Sequence, residues 1–262
     1  MKTLTFFPSQ PEIQYKMDNY IEHKPIGSNI ALYYQFKTQK ESINSFSLIP
    51  DGSIDLLFCC CPNKPSSFLW TSPLHRSEQL DFQEGCEYFG VRFYPEQRII
   101  NLKYSMRELL GKKIPLVDLL PLDFIIEKIL VGKPFGERVQ LFEKFIESLS
   151  SDFSYQNIVE YSIKQIYLSK GNININQLTI DTGYSDRYLR KKFEESIGFS
   201  PKQFSEIVRF QNSLAMIFKG NNSPLDIVHE NGYHDHAHFI KGFKKFALLT
   251  PTKFIENLSQ NV

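Results

Sequence analysis

Residues 181–204 read DTGYSDRYLRKKFEESIGFSPKQF, and residues 229–254 read HENGYHDHAHFIKGFKKFALLTPTKF. Aligned, they are one pattern written twice. Gly183-Tyr184 answers Gly232-Tyr233, and Leu189 and Phe193 answer Phe239 and Phe243, four residues apart in both copies. Phe193 and Phe243 each stand eight residues before a proline, Pro201 and Pro251. Ser200 or Thr250 precedes that proline, and Phe204 or Phe254 follows it by three residues. The period is fifty residues, with one extra residue in the second turn, so the same supersecondary unit is built twice.

Each copy has a physical reading. A short helix over about residues 175–182, and another over about 224–230, ends where glycine takes a left-handed turn at little steric cost. Ser185 and Asp235 then cap the next helix by accepting bonds from its free N–H groups. Leu189/Phe193 and Phe239/Phe243 share one face of that second helix and pack on the first. Helix, glycine turn and second helix make a helix-turn-helix.

The opposite face of each second helix carries the chemistry. In the first copy it presents Arg187, Arg190 and Lys191 beside a helix N-terminus. Arginine can donate two hydrogens to guanine O6/N7, and the helix N-terminus favours a phosphate. On an isolated helix such a face would be ordinary solvated surface; in a helix-turn-helix frame that occurs twice, DNA contact is the stronger reading. The second copy presents His236, Ala237, Ile240, Lys241 and Lys244. Two lysines and two apolar residues suit phosphate anchoring and a thymine methyl more than base discrimination. The first unit is therefore expected to read sequence and the second mainly to anchor.

Upstream the texture differs. NIALYYQF, INSFSLI, SIDLLFCCC, SFLWTS and EYFGVRFY are short β-branched or aromatic runs, separated by turn signals of which PDGS at 50–53 is the clearest. PEIQYKMDNYIEH before them reads as a short helix. After Pro95, EQRIINL, SMRELLG, LDFIIEKIL and GERVQLFEKFIESL read as helices, the last with Val139, Phe142, Phe145, Ile146 and Leu149 on one stripe. SSDFS at 150–154 is the candidate linker. The expected fold is α+β: a β-rich, cupin-like barrel domain over 1–150 that ends in helices at about 96–149, then an all-α domain over 155–258 with two helix-turn-helix units.

The C-terminal motifs are similar to those of the AraC/XylS family of bacterial transcription regulators. The resemblance rests on Gly183-Tyr184-Ser185, Leu189, Phe193, GFSPKQF, VRFQNSLAMI, GYHDHAHFIKGFKK and LTPTKF, and covers residues 155–258. It implies seven helices, with one long helix at about 201–219 setting two recognition helices, 186–196 and 236–246, in major-groove segments roughly 34 Å apart. It also implies double-stranded DNA as partner, RNA polymerase where the chain is an activator, and dimerisation through the helices of the first half. Two departures stand out. The small alanine usual in each first helix is Thr179 and Val228, and the arginine common in both recognition helices is Lys191 and Lys241, a poorer bidentate donor. The first half resembles the sensory half of a poorly described subgroup and names no small-molecule effector.

Other features stay open. Net charge is near zero, with thirteen Lys/Arg against eleven Asp/Glu after residue 150, so DNA binding has to rest on where the basic residues sit. No apolar run approaches the roughly 20 residues of a membrane span, and the N-terminus lacks a signal peptide's apolar stretch. A cytoplasmic protein with reduced thiols is expected, not an enzyme, with no cofactor and no metal. The alternative is a metal- or thiol-dependent sensor or enzyme using Cys59, Cys60, Cys61 and Cys86. Adjacent strand residues point to opposite faces, so packing is the favoured reading for that run. A regulator controlled by a protein partner is a third reading. Arg92 is expected to pair with a carboxylate rather than meet an anionic effector, and helix 136–149 either covers the barrel or forms a dimer surface. In GYHDHAHF, His236 and His238 lie roughly 200° apart on one helix and cannot share an ion. His234 is assigned to the turn, His238 to a slot beside the core, and His236 to DNA.

Overall fold

The computed structural model describes residues 6–38, 46–79, 82–96, 104–119, 123–148, 157–220 and 222–259. Residues 97–102 of the expected helix EQRIINL, Leu149 and the linker at 150–154 lie outside them. Helix α1 (Pro11–Lys16) starts on a proline, whose missing N–H is not needed in a first turn. It is shorter than the sequence suggested: Asn19 turns through φ +50°, and the rest of that stretch is strand β1 (Asp18–His23).

Strands β2 (Ile30–Lys37), β3 (Phe46–Leu48), β4 (Ile54–Cys59), β5 (Ser66–Thr71), β6 (Ser77–Gln79), β7 (Glu87–Phe93) and β8 (Lys113–Pro115) complete the β-rich half. The antiparallel order is β1-β2-β7-β4-β5-β8, with β3 and β6 paired as a second small sheet. Side chains alternate between the two faces. Leu32, Tyr34, Phe36, Leu57, Trp70 and Tyr88 form one core with Phe46 and Leu48 of β3. Tyr33, Ile54, Leu56, Phe58, Phe89 and Val91 form another, against helices. Burial on both faces explains why β4 carries consecutive apolar residues from Leu56 to Cys59.

Helices α2 (Met106–Leu109), α3 (Asp123–Leu130) and α4 (Phe135–Ser148) follow β7. Val139 and Phe142 of α4 are buried against the sheet, so this helix covers the β core. Arg138, on the same helix, is fully buried; it donates to Gln35 Oε1 at 2.6 Å, to Glu87 and to Ile129 O.

The C-terminal half has seven helices among the described residues: α5 (Asn157–Leu168), α6 (Ile175–Thr182), α7 (Asp186–Ile197), α8 (Pro201–Lys219), α9 (Pro224–Glu230), α10 (His236–Ala247) and α11 (Pro251–Ser259). Ser200 with Gln203, and Ser223 with Asp226, form capping boxes before a proline at the first helical position, which fixes where α8 and α9 begin. Leu189, Phe193, Phe204, Phe239, Phe243 and Phe254, the repeated apolar residues, all lie in one core with Leu178. Among the described residues, no helix is long and apolar enough to cross a membrane.

The halves are closely joined. Phe6 stacks on Tyr167 with centroids 4.6 Å apart, and Ile49 lies in the C-terminal core. Gln211 of α8 donates to Pro50 O at 2.8 Å and accepts from Ser9 N–H at 3.1 Å. The PDGS turn is thus buried at this junction, with Gly52 against the Phe204 ring.

Candidate nucleic-acid interface

Helix α6 ends at Gly183, φ +71°, and Ser185 Oγ accepts from Tyr188 N–H at 3.3 Å to start α7. In the second unit Gly232, φ +65°, makes the turn, and Asp235 Oδ1 accepts from His238 N–H at 2.7 Å. That N–H and the His234 ring hold the Asp235 carboxyl below the usual carboxylate range. In each unit one glycine therefore makes the turn after the first helix and one capping oxygen starts the second.

Leu189 and Phe193 are 0% exposed, which commits the other face of α7 to solvent. Arg187, Arg190 and Lys191 are exposed there together. Arg190 Nε donates to Glu194 Oε1 at 2.8 Å, an interaction that raises the arginine's already high pKa. Lys191 Nζ lies 3.9 Å from Glu195, and Arg187 has no ion pair among the described residues. Tyr184 and Tyr188, both exposed, stack at 5.0 Å beside the helix start. On α10, His236, Ala237, Lys241 and Lys244 are exposed, whereas Ile240 is half-buried against the core and offers only part of its surface. Thr179 places its hydroxyl on Asn176 O within α6, and Val228 is buried, so both replacements for the expected alanine are accommodated.

The histidine run resolves differently from expectation at one position. His238 is exposed rather than seated beside the core. Its Nδ1 accepts from His234 N–H at 3.2 Å, closing the turn, while its ring meets Tyr233 edge-on. Among the described residues, no group of three or more His, Cys, Asp or Glu could hold a metal ion.

Contacts from the first half reach the C-terminal ends of both exposed helices. Arg107 of α2 donates to Glu194 Oε2 at 3.0 Å, and Leu110 packs on Gly198 at the end of α7. Arg76 N–H donates to Phe246 O at 2.8 Å, and His75 Nδ1 lies 3.0 Å from Lys245 O, at the end of α10. Nothing in the local sequence signals these contacts, because each depends on how the halves dock.

A cavity of about 310 Å³ lies at the same junction, lined by Phe7, Gln10, Tyr20, Lys24 and Tyr34 and by Phe218 of α8. Arg92 borders it and is paired: Nε and Nη2 donate to the two oxygens of Asp55 at 2.9 and 2.7 Å, and Tyr34 OH donates to Asp55 Oδ2 at 2.8 Å. Burial lowers the Arg92 pKa, but Asp55 outweighs it and the charge is retained. Burial likewise pushes the nearby Asp51 carboxyl up.

Residues 178–257 match a helix-turn-helix domain family. The chain is 29% identical over 146 residues to the Msm operon regulatory protein of Streptococcus mutans, covering 54% of this chain and 52% of that protein. It is 36% identical over 67 residues to an HTH-type transcriptional regulator of Haemophilus influenzae, covering 26% of this chain and 22% of the relative. The matches thus span about half of the first relative's length and about a fifth of the second's. An apo ToxT structure from Vibrio cholerae is similar at 13% identity and a TM-score of 0.47, over 90% of this chain and all of that one.

Proposed function

We propose that this chain, whose C-terminal region is an AraC-type helix-turn-helix domain, is a transcription regulator that binds double-stranded DNA in a sequence-specific way. The observation that carries the reading is the joint exposure of Arg187, Arg190 and Lys191 on α7 while Leu189 and Phe193 anchor its other face. In this reading Arg187 and Arg190 read base edges and Lys191 supports them. On α10, His236, Lys241 and Lys244 hold phosphates, and Ala237 with the exposed part of Ile240 meets the base methyls. The regulator would act in the cytoplasm, with RNA polymerase as partner where it activates, and a second copy of the chain as a candidate partner through the first half.

Residues 1–150 serve as the sensory unit and 155–258 as the DNA-binding unit. The cavity shared by Tyr20, Lys24 and Phe218 is the candidate effector site, because a ligand there touches both units at once. Genomic footprinting supplies the cognate duplex, and fluorescence anisotropy on that duplex tests the reading. Arg190→Ala is expected to weaken specific binding and relax one or two base positions by about 1–3 kcal/mol. Affinity should also fall steeply with salt as phosphate contacts are screened. Binding indifferent to substitution of Arg187, Arg190 and Lys191 would overturn the assignment.

A further inference from the structure

Three of the four cysteines meet at one end of the large sheet. In the β4–β7 ladder Cys59 stands opposite Tyr88, and one step further Cys60 N–H donates to Glu87 O at 2.8 Å. The same antiparallel count sets Cys61 opposite Cys86. Cys60 and Glu87 form a hydrogen-bonded pair, so Cys61 and Cys86 fall on a non-hydrogen-bonded position, where α-carbons lie about 4.5 Å apart and side chains approach most closely. That spacing falls within the range of roughly 4.4–6.8 Å that a disulfide spans. Hydrogen bonding from Cys86 and from the N–H groups of Asn63 and Lys64 lowers the pKa of the Cys61 thiol, and Cys86 also interacts with Cys59. Cys61 is half-buried and reachable from solvent, whereas Cys86 is buried behind it. Cys60 points to the opposite face, where its thiol reaches Phe58 O and Ile129 O.

We propose that Cys61 and Cys86 form a reversible dithiol site, oxidised by a hydroperoxide to a cross-strand disulfide, with Cys61 as the attacking sulfur. The Cys61 thiolate attacks one oxygen of hydrogen peroxide; an S–O bond forms, the O–O bond breaks, and the departing hydroxide takes up a proton to leave as water. The Cys86 sulfur then attacks the Cys61 sulfur; the S–S bond forms, the S–O bond breaks, and the oxygen leaves as water with the Cys86 proton. Two thiols are oxidised and one peroxide is reduced to two waters. A small dithiol reverses the step by being oxidised itself.

The division of roles follows from the surroundings. The hydrogen bonds from Cys86 and the two backbone N–H groups hold the Cys61 thiol below its usual range, favouring the nucleophilic thiolate. Burial pushes Cys86 up to about 12 and Cys60 up to about 11, leaving both as thiols. This chemistry requires no DNA and stands apart from the regulator reading.

The test treats the full chain with hydrogen peroxide, alkylates the remaining thiols, and maps peptides by mass spectrometry without reductant. A Cys61–Cys86 linked peptide that disappears with dithiothreitol is expected. Cys61→Ser should abolish it, while Cys60→Ser and Cys59→Ser should leave it in place. A link through Cys59 or Cys60, or Cys61 driven to sulfonic acid while Cys86 stays free to alkylate, would overturn the proposal. So would a chain whose four thiols all remain reduced.

Discussion

Arg107 and Glu194, 87 residues apart in sequence, form an ion pair of 3.0 Å that ties α2 of the first half to the exposed helix α7. The second oxygen of the same carboxylate accepts from Arg190 at 2.8 Å. One negative charge therefore restrains a proposed base-reading arginine and connects it to the first half. Glu194→Gln keeps the shape, releases Arg190 and removes an anion from the face that would meet phosphate. Affinity for the cognate duplex at low salt is expected to rise several-fold, about 1 kcal/mol, the size of an exposed pair. The gain should shrink as salt screens the surface. Anisotropy titrations at two salt concentrations check this, and unchanged or weaker binding at low salt would contradict it.

The Phe204 ring lies 2.7 Å from where a β-carbon would stand on Gly52, at φ +75°. Phe204 belongs to the repeated pattern and Gly52 to the PDGS turn, so this contact joins the two halves. Gly52→Ala should destabilise the chain by about 1–3 kcal/mol through overpacking, in addition to backbone strain. Gly27 supplies the control, with φ +69° and open space around it. Gly27→Ala carries the strain alone, so urea unfolding of the two variants isolates the junction. Equal losses would show that Phe204 does not constrain the turn.

The helix-turn-helix units were legible almost to the residue because their signals are local: a glycine, a capping oxygen and two apolar residues on one face. Helices α7 and α10 begin where Ser185 and Asp235 predict caps, whereas the caps that Asn174, Ser200 and Ser223 supply to α6, α8 and α9 emerge from the structure. What stayed hidden was non-local. The three-residue strands β6 and β8 are too short for a pattern. Arg138 on a stripe that reads as amphipathic gave no sign of being the most deeply buried cation of its helix. PDGS signalled a turn, but not that the turn is covered by α8. Alternation along CCC correctly separated Cys60 from its neighbours, yet the pairing of Cys59 with Tyr88, which carries Cys61 towards Cys86, is disclosed only by the register.

Asp55 is 4% exposed and is the bidentate partner of Arg92, itself 3% exposed. Asp55→Ala leaves a buried guanidinium with the more distant Asp51, at 4.0 Å, and the neutral Pro8 carbonyl, at 3.5 Å, and deprives Tyr34 OH of its acceptor. A loss of about 3–5 kcal/mol is expected, because the cost of an unpaired buried charge exceeds the worth of the pair. Asp55→Leu combined with Arg92→Met removes both charges and should be less destabilised than Asp55→Ala alone. Chemical denaturation of the three proteins decides. A double variant as unstable as the single one would mean that shape, not charge, governs the site.

Glu12 makes pH-sensitive contacts around α1. It accepts from Lys16 at 2.8 Å, from Ser47 N–H at 2.8 Å and from Arg76 at 2.9 Å, and so links α1 to β3 and to the loop that reaches α10. Burial pushes its carboxyl up, but these donors outweigh burial and hold it below the usual range. A depressed folded-state pKa contributes stability that is present above the unfolded value of about 4.3 and is lost as pH falls through the folded value. Wild type should therefore exceed Glu12→Gln in stability at pH 7. The gap should narrow progressively below about pH 4.3 as the wild-type carboxylate takes up its proton. Urea unfolding of both proteins at neutral and acidic pH reads the difference directly. A gap that stays constant across that window, or widens towards acid, would show that the three donors do not favour the ionised carboxylate.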